Sequence, residues 1–147
     1  MNVASVMTRD VKTVKPTDTA KSAVVTMNKH HIGSVIVSDG KEVLGIITER
    51  DVLKRVVEAG NDASKIICKG IMSTPIYAVE PSTGISEAID TMVKHHIKKL
   101  IVIEGVELVG ILTATDCLKS GRALEQEALE KLSEFFPVYT PGSSPAG

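Results

Sequence analysis

Aromatic side chains are nearly missing from this chain: it has two Phe, two Tyr and no Trp among 147 residues. Phe135, Phe136 and Tyr139 fall near the C-terminus, which leaves Tyr77 alone in everything before them. The core must therefore be aliphatic, and stacking of nucleic-acid bases on exposed rings is almost unavailable. A surplus of positive charge is also lacking: 17 Lys and Arg against 18 Asp and Glu give a net charge of −1. That balance argues against nucleic-acid binding, for which a basic face supplies most of the affinity. No apolar run approaches the length of a membrane-spanning helix. The N-terminus has no apolar leader, so a cytoplasmic location is expected. Cysteine is limited to Cys68 and Cys117, which are far apart and match neither a disulfide framework nor a cysteine zinc site.

What the chain does have is itself, twice. Residues 7–54 shifted by 65 positions fall on 72–119 without a gap, and 20 of the 48 pairs are identical. His30-His31-Ile32 falls on His95-His96-Ile97, and Gly45-Ile46-Ile47-Thr48-Glu49-Arg50-Asp51 falls on Gly110-Ile111-Leu112-Thr113-Ala114-Thr115-Asp116. Repeats of this size are marginal alone, so the two halves are expected to share a core.

Each copy carries the same succession of signals. A short extended piece (Val11–Val14, Ile76–Val79) ends at Pro16 or Pro81, which breaks the strand and favours a helix start. Thr17 and Ser82 are the expected N-caps. Ala20, Ala23, Val24 and Met27, and likewise Ile85, Ala88, Ile89 and Met92, recur at helical spacing. After the paired histidines come the apolar runs Val35-Ile36-Val37 and Leu100-Ile101-Val102-Ile103. Turns at Asp39-Gly40 and Glu104-Gly105 then signal hairpins. The return strands, Val43–Ile47 and Leu108–Leu112, run into second helices near Thr48 and Thr113.

The expected architecture is thus α+β, two β-α-β-β-α repeats over 1–60 and 66–121. A helix is expected over 122–136, where Leu124, Ala128, Leu132 and Phe136 form a stripe that either covers core or meets a second copy. The Pro, Gly and Ser-rich stretch 137–147 reads as a disordered tail.

The chemistry-bearing pattern is Gly-x-x-Thr-x-x-Asp, at 45–51 and again at 110–116. A Thr followed three residues later by an acid is a helix-start signature in its own right, the two side chains satisfying free N–H groups. On that reading the preceding Gly is only a place where the hairpin packs closely. A helix N-terminus is also favourable to anions, and an Asp one turn on can accept hydrogen bonds from a ribose diol. The histidine pairs lack zinc-ligand spacing, and adjacent histidines on a helix point apart. His30 and His95 are expected to face solvent at the helix ends, with His31 and His96 near the clefts between the repeats. No nucleophile-elbow or phosphate-loop pattern is present, so no enzyme activity is expected.

With these surroundings the chain resembles the cystathionine-β-synthase (CBS) domain family, whose tandem pairs are called Bateman modules. The resemblance covers residues 1–120 and rests on Val6-Met7-Thr8, the strand at 11–14, His30 to Ser34, the 45–51 segment and their second copies. It implies repeats packed about a pseudo-twofold axis, with two clefts for adenosine-containing ligands. The implied ligand is AMP, ADP or ATP, with S-adenosylmethionine as another candidate and no cofactor. It also implies crossed sites, one joining Thr48, Arg50 and Asp51 to Ile76, Tyr77, Ala78, Ile97 and Lys99. The other joins Thr113 and Asp116 to Val11, Lys12, Thr13, Ile32 and Ser34. On this crossing the first site collects Arg50 with Lys98 or Lys99, whereas the second keeps only Lys12, so the first is expected to hold phosphates more tightly. A homodimer arranged as a four-repeat disc and an unidentified effector protein are the implied partners. A scaffold dimer without ligand, in which both Thr-x-x-Asp patterns only cap helices, is the rival reading. A nucleic-acid-associated regulator is a third.

Overall fold

The computed structural model describes residues 1–40, 42–120 and 126–136. In the first repeat β1 (Thr13–Val14) runs parallel to β2 (Ser34–Ser38), which pairs antiparallel with β3 (Val43–Thr48). In the second repeat β4 (Ala78–Val79), β5 (Lys99–Glu104) and β6 (Glu107–Thr113) repeat that arrangement. Helices α1 (Ala20–His30) and α3 (Ile85–His95) connect the parallel strands, and α2 (Glu49–Val52) and α4 (Ala114–Lys119) follow the hairpins. A π-helical turn, Leu53–Glu58, extends α2. Each repeat is therefore β-α-β-β-α, as its periodicity predicts.

The helix starts differ from expectation. Thr19 caps α1, accepting from the Ser22 N–H, and Gly84 precedes α3 with no side-chain cap. Thr17 and Ser82 instead lie in turns closed by their neighbours. The Asp18 carboxylate accepts from the Lys15 N–H (2.9 Å) and the Thr83 hydroxyl from the Glu80 N–H (3.1 Å). These local bonds compete with helix and delay it by two residues. The strands before the prolines are shorter than expected because only Thr13–Val14 and Ala78–Val79 join the ladders. Both α1 and α3 end on a histidine in the left-handed region, His31 (φ 54°) and His96 (φ 51°).

Two cores form rather than the single shared one expected, and each takes in residues from the other repeat. Val3 and Met7, at the chain's start, are buried with Ile85, Ile89, Met92, Leu100 and Leu112 of the second repeat. Cys68 and Ile71 are buried with Ala20, Ala23, Met27, Val35 and Ile47 of the first. The backbone follows the same exchange at positions 65 apart. The Val3 N–H donates to the Thr83 carbonyl (2.8 Å) and the Cys68 N–H to the Asp18 carbonyl (2.7 Å). Thr8 bridges Ile111 in β6, and Ser73 bridges Ile46 in β3. These matched crossings define the pseudo-twofold relation.

The motif glycines sit where those crossings pass. A Cβ on Gly45 would lie 2.5 Å from Met72 Sδ, and one on Gly110 would lie 2.6 Å from Met7 Sδ and 3.1 Å from the Thr8 carbonyl oxygen. Close packing thus accounts for both glycines. Gly110→Ala is expected to destabilise the chain by about 1–3 kcal/mol through overpacking, read as a lower urea midpoint. An unchanged midpoint would contradict the tight crossing.

The cysteines occupy different cores, both as free thiols, and burial pushes each thiol up to about 11. After residues 121–125 comes α5 (Gln126–Leu132), which buries Ala128 and Leu132 in the second core, with Phe135 and Phe136 packed alongside. The C-terminal stripe therefore covers core. Leu124 and the expected tail lie outside the described residues. Among the described residues no helix is long and apolar enough to cross a membrane.

Candidate functional site

Thr48 and Thr113 end their return strands in extended backbone and cap the helices that follow. In both copies the capping box is complete: the Thr side chain accepts from the Asp N–H, and the Asp carboxylate accepts from the Thr N–H. The Thr48 N–H donates to Asp51 Oδ2 at 2.8 Å, and the Thr113 N–H to Asp116 Oδ2 at 3.1 Å. Helix capping is thus a sufficient reason for the pattern in each copy. What distinguishes the copies is the second carboxylate oxygen.

In the first repeat that oxygen is taken. Asp51 is 7% exposed, and its Oδ1 accepts from the Ser73 hydroxyl at 2.6 Å. Arg55 Nη1 approaches the same oxygen at 3.9 Å while donating to the Ile71 and Met72 carbonyls at 3.0 and 2.6 Å. Of the partners implied for this site, Tyr77 packs against the second core and stacks on His95, the rings 3.9 Å apart and 17° from parallel. His95 is therefore half-buried under a ring, not turned to solvent as expected, whereas His30 is exposed. Ile97 also packs on the second core, Ile76 is half-buried, and Arg50 and Ala78 are exposed.

In the second repeat Asp116 is half-buried, and among the described residues only the Thr113 N–H donates to its carboxylate. Asp116 and Thr113 line a cleft of about 300 Å³ whose other wall is the first repeat: Val11, Lys12, Ile32 and Ser34. Six of the seven residues expected together at this site therefore meet. The seventh, Thr13, faces an adjoining groove of about 840 Å³ between the hairpin ends, which shares Asp10 and Val11 with the cleft. Two features explain the convergence. The lead-in at Thr8 is carried across to β6, and Lys99 pairs with Thr113 at the mouth of the second hairpin.

Lys99 lines this cleft, although the crossed pattern assigns it to the other site. Its pKa is lowered chiefly by burial, Glu49 opposing the shift and Lys98 adding to it. Lys12 holds Asp10 in a 2.9 Å ion pair, and that hydrogen bond lowers the Asp10 pKa. The cleft floor is aliphatic, with Val11, Ile32, Ile36 and Ile111; its rim carries the hydroxyls of Thr8, Ser34, Thr113 and Thr115. Thr8, Asp10 and Thr115 escape sequence reasoning, yet Thr8 is signalled by its 65-residue offset from Ser73. His31 also lines the cleft. Among the described residues no three His, Cys, Asp or Glu side chains gather as a metal site.

The family model of the CBS domain matches residues 3–58 and again 68–122, and the chain belongs to that family. An uncharacterized protein of Methanopyrus kandleri is 38% identical over 137 residues, covering 92% of this chain and 70% of that one. An inosine-5'-monophosphate dehydrogenase of Korarchaeum cryptofilum is 36% identical over 113 residues. That match takes in 76% of this chain but 22% of the dehydrogenase, so the likeness is to one portion of that enzyme. Among solved structures, a CBS-domain protein of Burkholderia ambifaria superposes with a TM-score of 0.79 at 30% identity, over 86% of this chain and 97% of that one.

Proposed function

We propose that the chain is a non-catalytic cytoplasmic sensor that binds an adenine nucleotide in the cleft at Thr113 and Asp116 and reports occupancy to a partner protein. One observation carries the reading: the cleft is bipartite, with a hydroxyl and a carboxylate from one repeat facing aliphatic side chains of the other. An aliphatic floor suits a purine face without aromatic stacking, and a few polar groups at the rim set orientation. Asp116 retains a carboxylate oxygen for a ribose hydroxyl, and Lys99 and Lys12 supply cations for phosphate. S-adenosylmethionine shares the adenosine and lacks the phosphates. A ligand touching both repeats shifts their relative orientation only through its different affinity for two arrangements, and that difference is the signal.

The same reading includes a homodimer. Leu53 and Val57 are 62% and 66% exposed one turn apart, and Leu118, 65 positions beyond Leu53, is 43% exposed. An exposed apolar pair in the first repeat, with Leu118 at the position matching Leu53 in the second, suits burial against a second copy. The scaffold reading is favoured by one observation only, that both capping boxes are complete.

Thermal melting decides between the two. A nucleotide at a hundred times its Kd adds about 2.7 kcal/mol to stability, which for a chain of this size is roughly 5–10 °C. AMP, ADP, ATP and S-adenosylmethionine are tested on protein freed of bound small molecules. A rise with at least one of them that disappears in Asp116→Ala supports the sensor. A flat panel supports the scaffold.

A further inference from the structure

The two Thr-x-x-Asp motifs have divergent surroundings. Around Asp51 the second repeat contributes Ser73, whose hydroxyl donates to the carboxylate at 2.6 Å, and the Ile71 and Met72 carbonyls, which Arg55 binds at 3.0 and 2.6 Å. The Asp51 carboxylate is held by the Thr48 N–H and hydroxyl as well (2.8 and 3.1 Å), so both of its oxygens have donors from protein. The Asn61 side chain in turn donates to the Arg55 carbonyl at 2.7 Å, tying the inter-repeat linker to the same arginine.

Move 65 positions and these parts change. Ser73 corresponds to Thr8 and Arg55 to Ser120. Thr8 makes no side-chain hydrogen bond to Asp116 but lines the open cleft, and the Ser120 hydroxyl donates to its own helix at the Cys117 carbonyl, 2.7 Å. Among the described residues no hydrogen bond crosses from the other repeat to the Asp116 carboxylate.

We infer that Asp51, Ser73 and Arg55 form a clasp that fastens the first repeat to the lead-in of the second, and that only the Asp116 cleft takes ligand, one molecule per chain. The stoichiometry rests on the nucleotide reading above; the clasp does not. Desolvation favours this division. A buried carboxylate with donors on both oxygens is stabilised in place, and withdrawing it toward a ribose would leave the Ser73 hydroxyl without its acceptor. On this division the cations that the crossed pattern assigns to the first site mark no tighter phosphate site: the Lys98 carbonyl accepts from the Ala114 N–H at the second motif, and Lys99 lines the Asp116 cleft.

Two measurements on the full chain separate the parts. Asp51→Ala and Asp116→Ala each lose a capping box, so the difference between their melting midpoints reads the clasp. Asp51→Ala is expected to melt at least about 3 °C below Asp116→Ala, a difference on the order of 1 kcal/mol. Ser73→Ala is expected to add little to Asp51→Ala, whereas Thr8→Ala and Asp116→Ala add independently. Equal midpoints for the two Asp variants, or full additivity of Ser73→Ala with Asp51→Ala, overturn the clasp. Equilibrium dialysis with ATP as the probe is expected to give one molecule per chain. Ser73→Ala should leave that affinity within threefold, and Asp116→Ala should lower it at least tenfold. Two equivalent ATP molecules per chain overturn the one-cleft assignment. Should wild-type protein bind no ATP, the nucleotide reading falls and the melting comparison alone decides the clasp.

Discussion

Val3→Asp is expected to unfold the second repeat, sixty-odd positions away in the chain, before it disturbs the first. Val3 is wholly buried beside Ile85, Ala88, Ile89 and Met92, and its N–H is bonded to the Thr83 carbonyl at 2.8 Å. A carboxylate there has no cation among its core neighbours, and burying it unpaired costs several kcal/mol. That is most of the stability of an ordinary domain. Hydrogen exchange should show the loss first in α3, β5 and α4, with α1 and β2 protected longer. A variant that loses α1 first, or melts like wild type, would contradict the exchange of lead-ins between repeats.

Lys99→Met is expected to weaken ATP binding by about 10- to 100-fold, the range of a lost charge-assisted contact, while leaving adenosine affinity nearly unchanged. The split between charged and uncharged ligands is the diagnostic readout, because a general distortion of the cleft would weaken both. Lys99 also sets a pH dependence. Its pKa lies below 10.5 because burial disfavours the ammonium. Below that lowered pKa the side chain is charged and attracts phosphate. As pH rises through it the charge is lost, and ATP affinity should fall earlier than an exposed lysine would allow. The free protein should show the opposite trend in stability. Between the folded and unfolded pKa values the unfolded chain binds the extra proton, so stability rises with pH across that window. Titration calorimetry from pH 7 upward checks the first trend, and loss of affinity in step for adenosine and ATP would count against it.

Much of this architecture is written in local pattern. The 65-residue offset marks two copies. The helical spacing of Ile85, Ala88, Ile89 and Met92 corresponds to the face that is buried. Gly40 and Gly105 take positive φ at the hairpin turns, where the sequence places them. Thr48 and Thr113 start the second helices for the capping reason their spacing implies. The exchange of lead-ins is not legible in the same way, because an apolar residue such as Val3 carries no mark of which core it joins. Nor are the helix starts, where Asp18 and Thr83 close a competing turn one residue beyond the apparent caps.

The candidate site divides similarly. Six residues of the second set converge because strand ends and crossed lead-ins obey the repeat symmetry. The fate of Asp51 is settled by Ser73 and Arg55, residues in a different segment and a different turn. Their substitution by Thr8 and Ser120 in the other copy looks minor in one dimension. In three dimensions it separates a carboxylate closed on protein from one facing a cleft.

On the proposed function, the Asp116 cleft holds the adenosine moiety of a ligand. Crystals of the protein grown with AMP test it most directly. Density is expected for one nucleotide per chain, its ribose on Asp116 and its base between the Val11 and Ile32 side chains, with Asp51 still bonded to Ser73. An empty cleft at saturating AMP, with ribose found on Asp51 instead, would contradict it.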